Sequence, residues 1–222
     1  MGYLGAKGAS GAYQAIIANM PQHSIYIEAF LGTGVIFNKK PPVAHSIGVE
    51  LDSVTMSQFK PCHPVELYTM CFFDFLKSFA FGEPDQTFIY ADPPYLQETR
   101  TSENRYREEF TREQHVALLT HFNALTAQGV KIMLSGYPSA LYDELLPDWR
   151  TFEFNVMSRG GVRTEKLWMN YSKESSHWIT YAGKNYSDRQ RIKRKAERWA
   201  NKFEKLDTNE RRAILAAILD VM

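Results

Sequence analysis

Ile25-Tyr26-Ile27-Glu28-Ala29-Phe30 is an apolar, β-rich run, and Leu31-Gly32-Thr33-Gly34 follows it without a break. A strand that turns sharply at glycines lets the backbone approach a ligand closely, at the carboxyl edge where open α/β sheets bind. Five further runs of the same kind lie downstream, at Ser46–Glu50, Thr87–Ala91, Val130–Ser135, Phe152–Met157 and Lys166–Tyr171. Helical patterns separate several of them. In Thr111–Ala127, Val116, Leu119, Phe122 and Leu125 recur at helical spacing behind a Thr-Arg-Glu-Gln start that reads as a capping box. Strands alternating with helices predict an α/β fold with a mostly parallel sheet covered on both faces.

The composition fits one folded unit of ordinary size. The chain has 222 residues, of which 44% are apolar and 14% aromatic, so it can bury a core and lacks the signature of disorder. No run reaches the ~18–20 apolar residues of a membrane helix, and no signal-peptide pattern opens the chain, so a soluble, cytoplasmic protein is expected. Cys62 and Cys71 are too few for a disulfide framework, and no Cys/His cluster has metal-ligand spacing. Free thiols and no metal are the expectation.

The net charge of +1 hides a split. Residues 184–222 carry 11 basic and 6 acidic side chains, whereas residues 1–183 carry 15 and 19. The division predicts a core at 1–183 and a basic helical extension at 184–222, whose cationic end suits phosphates even in a near-neutral chain. Within it, 189–206 reads as an amphipathic helix with Ile192, Ala196, Trp199, Phe203 and Leu206 on one stripe. Arg194 and Arg198 lie on the basic stripe beside it. A last helix is expected over Asn209–Val221. The polar, aperiodic segment 97–112 reads as a surface loop.

Three motifs bear on chemistry. Gly32-Thr-Gly34 alone is a weak sign of a nucleotide-like cofactor. Glu50, closing the second strand, is placed like the acid that takes ribose hydroxyls in nucleotide-binding sheets, although a solvated strand-end charge explains it as well. Tyr90-Ala91-Asp92-Pro93-Pro94-Tyr95 is the specific signal. Its prolines donate no hydrogen bond and stiffen the turn. A carboxylate and a rigid carbonyl beside an aromatic face can hold a planar ring by its exocyclic amine, with the amine on Asp92 and the Pro93 carbonyl and the ring on Tyr95.

With these residues in order, the chain resembles the Dam-like DNA adenine-N6 methyltransferases. The resemblance runs through Tyr3-Leu-Gly-Ala-Lys7-Gly, Phe30-Leu-Gly32-Thr-Gly34, Glu50-Leu-Asp52, Phe73-Asp74-Phe75, Asp92-Pro93-Pro94-Tyr95 and Ser135-Gly136-Tyr137. It implies a Rossmann-like methyltransferase fold, a seven-stranded sheet with one antiparallel strand, and S-adenosylmethionine as cofactor. It further implies that Tyr3 and Lys7 contact the cofactor's amino-acid end over a floor of Phe30, Gly32 and Gly34. Glu50 would hold the ribose, in place of the Asp more usual in the family. Asp74 would accept from the cofactor adenine, with Phe75 nearby and Asp92 beside the transferred methyl.

A duplex adenine must leave the helix for such a reaction, with Tyr95 as its stacking platform. Arg105 and Arg107 in the polar loop, and Arg159 and Arg163 around Gly160 and Gly161, are candidate DNA contacts; solvated loop charges explain them too. Where the family carries a recognition domain between the third motif and the tetrapeptide, Asp74 and Asp92 are only 18 residues apart. Short or relaxed specificity follows as an expectation. The rival readings are an RNA adenine methyltransferase, less readily a cytosine-N4 enzyme, and a silent nucleic-acid-binding module. A monomer or homodimer in a bacterial or phage-infected cell fits the compact chain.

Overall fold

The computed structural model describes residues 11–99, 109–158, 161–175 and 186–219. Seven strands, β1 (Ile25–Ala29), β2 (His45–Glu50), β3 (Glu66–Thr69), β4 (Thr87–Ala91), β5 (Lys131–Gly136), β6 (Arg150–Ser158) and β7 (Gly161–Met169), form one sheet in the order β3-β2-β1-β4-β5-β7-β6. The pairs among β1 to β5 are parallel, and β7 runs antiparallel to both β5 and β6. The predicted fold class and its single antiparallel strand are therefore observed.

Between the strands lie α1 (Ala12–Ala18), α2 (Val35–Lys39), α3 (Ser53–Gln58), α4 (Phe72–Ser78), α5 (Arg112–Ala127) and α6 (Ala140–Leu145). One apolar cluster joins α1, α2 and α3 to the sheet face bearing Tyr26, Phe88, Met133 and Leu167. The opposite cluster joins α4, α5 and α6 to Ile27, Ile89, Ile132 and Trp168. Successive strand side chains point to opposite faces, so each fully covered strand must be apolar on both.

The sequence reading missed β3. Its short edge strand is exposed at Glu66, Leu67 and Thr69, so it lacks the long apolar run that marked the central strands. The capping box of α5 is present, with Thr111 accepting from the Gln114 amide and the Gln114 side chain accepting from Thr111 N–H. Its buried face is His115, Leu118, Leu119, Phe122 and Leu125, whereas Val116 is exposed. The predicted stripe was thus right at three positions and off at Val116.

The 18-residue gap between Asp74 and Asp92 is filled by the rest of α4, a 3-10 turn at Pro84–Gln86 and β4. No domain is inserted there.

The chain divides into two compact units, Met1–Ile179 and Thr180–Met222. The second contains α7 (Tyr186–Glu204) and α8 (Thr208–Leu219). Their junction is closed by Arg211, whose guanidinium donates to the Leu206 and Glu204 carbonyls at 2.9 and 2.6 Å. Asp207 caps the start of α8 through the Asn209 and Glu210 amides. Among the described residues no helix is long and apolar enough to cross a membrane.

Candidate active site

The order of the sheet reverses between β1 and β4, since β2 and β3 extend to one side and β4 and β5 to the other. In open α/β sheets the crevice at such a switch, outside the carboxyl ends of the strands, is where ligands bind. The glycine turn, Glu50, the Asp92 turn and Ser135 all lie at those ends.

The turn after β1 is tightly constrained. Phe30, Gly32 and Gly34 all have positive φ, at 58°, 55° and 63°. For Phe30 that conformation costs on the order of 1–2 kcal/mol. Its ring is held near Phe72 and edge-to-face with Phe110, each at 5.5 Å between centroids. Any side chain at Gly34 would land on the Phe59 ring, so the glycine is demanded by both φ and space.

Glu50 ties this turn to β2. One carboxylate oxygen accepts from Gly32 N–H at 2.7 Å, and the other accepts from Asp52 N–H at 3.0 Å. A carboxylate has about four acceptor positions, so two hydroxyl donors can still be accommodated. That chemistry fits the ribose role expected of Glu50.

Asp74 sits in the first turn of α4, 61% exposed and paired with Lys77 at 3.0 Å. Such a surface pair contributes about 0–1 kcal/mol and yields readily to another partner. The Phe75 ring, by contrast, is buried among Phe72, Phe79 and Tyr68. Its visible role is to anchor α4.

Asp92 follows the fully buried β4. Ser135, at the end of β5, donates from Oγ to Asp92 Oδ1 at 2.8 Å, and the Tyr90 hydroxyl lies 3.0 Å from the same Oγ. Beneath this point Glu28 is buried and accepts from the Tyr26 hydroxyl at 2.7 Å. Burial pushes the Glu28 carboxyl up to about 8, against the opposing pull of the Tyr26 hydrogen bond and the Lys40 charge. Burial also brings the Lys40 ammonium down to about 8. Lys40 Nζ lies 4.2 Å from the Tyr26 ring centroid. Burial and then the Asp92 charge raise the Tyr142 hydroxyl.

Tyr95 is buried and meets Tyr137 edge-to-face at 4.5 Å. Tyr137 accepts a hydrogen bond from Arg163 Nη1 at 2.8 Å. Arg163 stands on the part of β7 that runs past the end of β5, because β5 pairs only with Lys166–Met169. At least one of its donors is thus directed into the site.

Tyr3, Lys7, Arg105, Arg107 and Arg159 lie outside the described residues. The base of the 97–112 segment is described: Arg112 donates to both oxygens of Glu98 at 3.0 and 3.1 Å. Phe110 packs under Phe30 and stacks with Phe73. Sequence reasoning gave no role to Phe110, Tyr90 or Glu28; an apolar residue ending a polar loop was the only signal for the first.

In the second unit Ser187, Arg191, Arg194, Glu197, Arg198 and Asn201 line a shallow concavity on α7. Trp199, on the same helix but not in that concavity, is 63% exposed, so the expected apolar stripe is solvent-facing at its largest member. Among the described residues no group of three His, Cys, Asp or Glu is placed to hold a metal.

The family model of the D12 class N6 adenine-specific DNA methyltransferases matches residues 65–164. Over that span, under half of the chain, the resemblance to adenine-N6 DNA methyltransferases is borne out. The matched span includes Asp74, the Asp92–Tyr95 turn, Ser135, Tyr137 and Arg163. A type II methyltransferase, M1.LlaDCHI of Lactococcus lactis subsp. cremoris, is 34% identical over 82 residues. That alignment takes 36% of this chain and 29% of the relative, so the chain spans under a third of the length of the curated protein it matches. Among solved structures, a SAM-dependent methyltransferase from Agrobacterium tumefaciens aligns at TM-score 0.46 and 12% identity, covering 72% of this chain and 60% of that one. The magnesium protoporphyrin IX methyltransferase of Synechocystis PCC 6803 aligns at 0.45 and 11%, covering 70% and 80%.

Proposed function

We propose that the chain transfers a methyl group from S-adenosylmethionine to N6 of an adenine in DNA. The observation that carries this reading is Asp92 with its adjoining prolines and Tyr95, fixed at the β1/β4 switch beside the glycine turn and Glu50. The cofactor would lie over Phe30, Gly32 and Gly34, with its ribose on Glu50 and its adenine amine on Asp74; Tyr3 and Lys7 would reach its amino-acid end. When bound, it supplies an electrophilic methyl group on a sulfonium.

The chain's own residues then have two tasks. The adenine N6 lone pair is delocalised into the ring and must be drawn out. Asp92 and the Pro93 carbonyl accept hydrogen bonds from its two N–H groups, Pro94 keeps the turn rigid, and Tyr95 stacks on the extruded ring. Positioning of this kind can supply up to about 7–11 kcal/mol. As positive charge develops on N6, Asp92 offsets it and takes the proton.

Arg163 beside the site, Arg194 and Arg198 on α7, and, from the sequence alone, Arg105, Arg107 and Arg159 are proposed phosphate or base-edge contacts. Since α4, one 3-10 turn and β4 fill the span from Asp74 to Asp92, we read the target specificity as short or relaxed. DNA as substrate suits the cytoplasm of a bacterial or phage-infected cell.

The test is tritium transfer from labelled cofactor to unmethylated DNA and RNA. Transfer to DNA in the wild type, and its loss in Asp92→Ala with folding and cofactor binding retained, are expected; full activity in that variant overturns the mechanism. Preferential transfer to RNA would replace the substrate. Long-read mapping of modified adenines checks specificity, and methylation confined to one motif of four or more bases would refute the relaxed reading.

A further inference from the structure

We propose that Ser135 and Tyr137, flanking Gly136 where β5 ends, position the two working side chains of the catalytic turn: Ser135, backed by Tyr90, orients Asp92, and Tyr137, fixed by Arg163, supports Tyr95. This rests on the methyltransferase reading for its catalytic meaning, but not for its geometry.

The hydrogen-bond arithmetic is restrictive. Ser135 Oγ has one proton to give, and at 2.8 Å from Asp92 Oδ1 that proton serves the carboxylate. The Tyr90 hydroxyl at 3.0 Å is then the donor to Oγ. Ser135 is fully buried and Tyr90 is 1% exposed, so both hydroxyls meet protein partners rather than bulk water; the Ala91 carbonyl, 3.4 Å from Oγ, is the longer alternative acceptor. Hydrogen bonds in dry surroundings polarise one another and hold their members in one arrangement. The order is therefore Tyr90 to Ser135 to Asp92, which fixes the rotation of the carboxylate plane that must meet the adenine amine.

Two residues further along the same chain, Tyr137 does for the ring what Ser135 does for the acid. Its centroid is 4.5 Å from that of Tyr95 at 66°, too close for a base to enter between them. Tyr137 is consequently a buttress, and the base must use another side of Tyr95. The Arg163 guanidinium at 2.8 Å pins the Tyr137 hydroxyl from β7. One short segment thereby sets the spacing between proton acceptor and stacking ring, the quantity on which an in-line attack depends.

A split in kinetics separates positioning from mere support of the fold. Ser135→Ala should lower kcat about 10- to 100-fold, the loss expected for a hydrogen bond to a charged group, with the KM for DNA little changed. Its acidic pH limb should move upward, because a donor to the charged carboxylate has gone. Glu28 from β1 and Tyr142 from α6 also feel the Asp92 charge and remain in place in this variant. Tyr90→Phe keeps the ring volume and should show a smaller shift in the same direction, which guards against a Ser135 variant that folds poorly. Tyr137→Ala should raise the KM for DNA about 2- to 10-fold, in keeping with the worth of an aromatic pair, with cofactor affinity by calorimetry unchanged.

Equal losses in kcat and KM across these variants, or an unmoved pH limb in both Ser135→Ala and Tyr90→Phe, would overturn the proposal. Failure of the methyltransferase reading is visible separately, as a wild type that transfers nothing. In that case ¹³C spectra of labelled Asp and Tyr still decide. The Asp92 titration must move up in Ser135→Ala and the Tyr95 ring flips must speed up in Tyr137→Ala; unmoved signals refute the assignment.

Discussion

The two faces of the central sheet are built from alternate residues of the same strands, yet they differ in kind. Toward α4, α5 and α6 the strands present Ile27, Ala29, Ile89, Ala91, Ile132, Leu134 and Trp168. Toward α1, α2 and α3 the apolar Phe88, Met133, Leu167 and Met169 are joined by Tyr26, Glu28, Tyr90 and Ser135. Glu28 and Tyr90 are register partners, and Ser135 stands two residues beyond Met133, the partner of Tyr90. The polar side chains therefore converge under the carboxyl edge where Asp92 emerges. On the first face the strands are apolar from Ile27 to Leu134, and polar contacts are confined to its α5/α6 margin, where Trp168 and Lys166 donate to Asp143 and Tyr142 meets His115. The second face gives up apolar area within the central strands to fix the direction of a charge.

The comparison can be broken first on the apolar face. Leu134→Ala, in a fully buried site beside Trp168, should cost about 2–5 kcal/mol in chemical denaturation. A loss well under that range would mean that this face does not carry the fold.

The polar face should show itself through pH. Glu28 titrates near 8 in the folded protein against 4.5 for an ordinary glutamate. In the unfolded chain it is ionised at neutral pH, so its contribution is most favourable below pH 4.5 and is lost as pH rises through 8. Lys40, lowered from 10.5 to about 8, contributes fully above 10.5 and loses that contribution as pH falls through 8. Glu28→Gln keeps an acceptor for Tyr26 and removes the ionisation. Unfolding free energies of the variant should fall less than the wild type's between pH 5 and 8, and parallel profiles would contradict the buried, neutral Glu28.

The smallest effect is expected outside both faces. Trp199→Ala, at an exposed position on α7, should shift stability by less than about 0.5 kcal/mol. A larger thermal shift would reveal a packing role for that ring.

Much of this was legible from the residues. The strand segments β1, β2 and β4 to β6 announce themselves as apolar runs between turn residues, as does the second half of β7, whose polar start at 161–165 reads as loop; Thr111-Arg-Glu-Gln announces α5. The edge strand β3 did not, because exposed strands need no apolar face. Val116 was misread because a helical spacing of three and four admits two neighbouring stripes, and only the sheet decides which is covered. At the site, Asp92-Pro-Pro-Tyr95 and the glycine turn identify themselves through the strict demands of their backbones. Glu28, Tyr90 and Phe110 do not, since a glutamate in a strand or a phenylalanine after a loop has no local signature of burial.

The sequence by itself determined the α/β class, the placing of glycines where φ is positive, and the presence of a carboxylate, a rigid carbonyl and an aromatic ring in one turn. These are properties of a few adjacent residues. Only the tertiary structure decided that Ser135 meets Asp92, that Tyr137 meets Tyr95, and that burial pushes the Glu28 carboxyl up. Each of those joins residues some 40 or more positions apart, or depends on the exclusion of water, and neither distance nor desolvation exists until the sheet has closed over its helices.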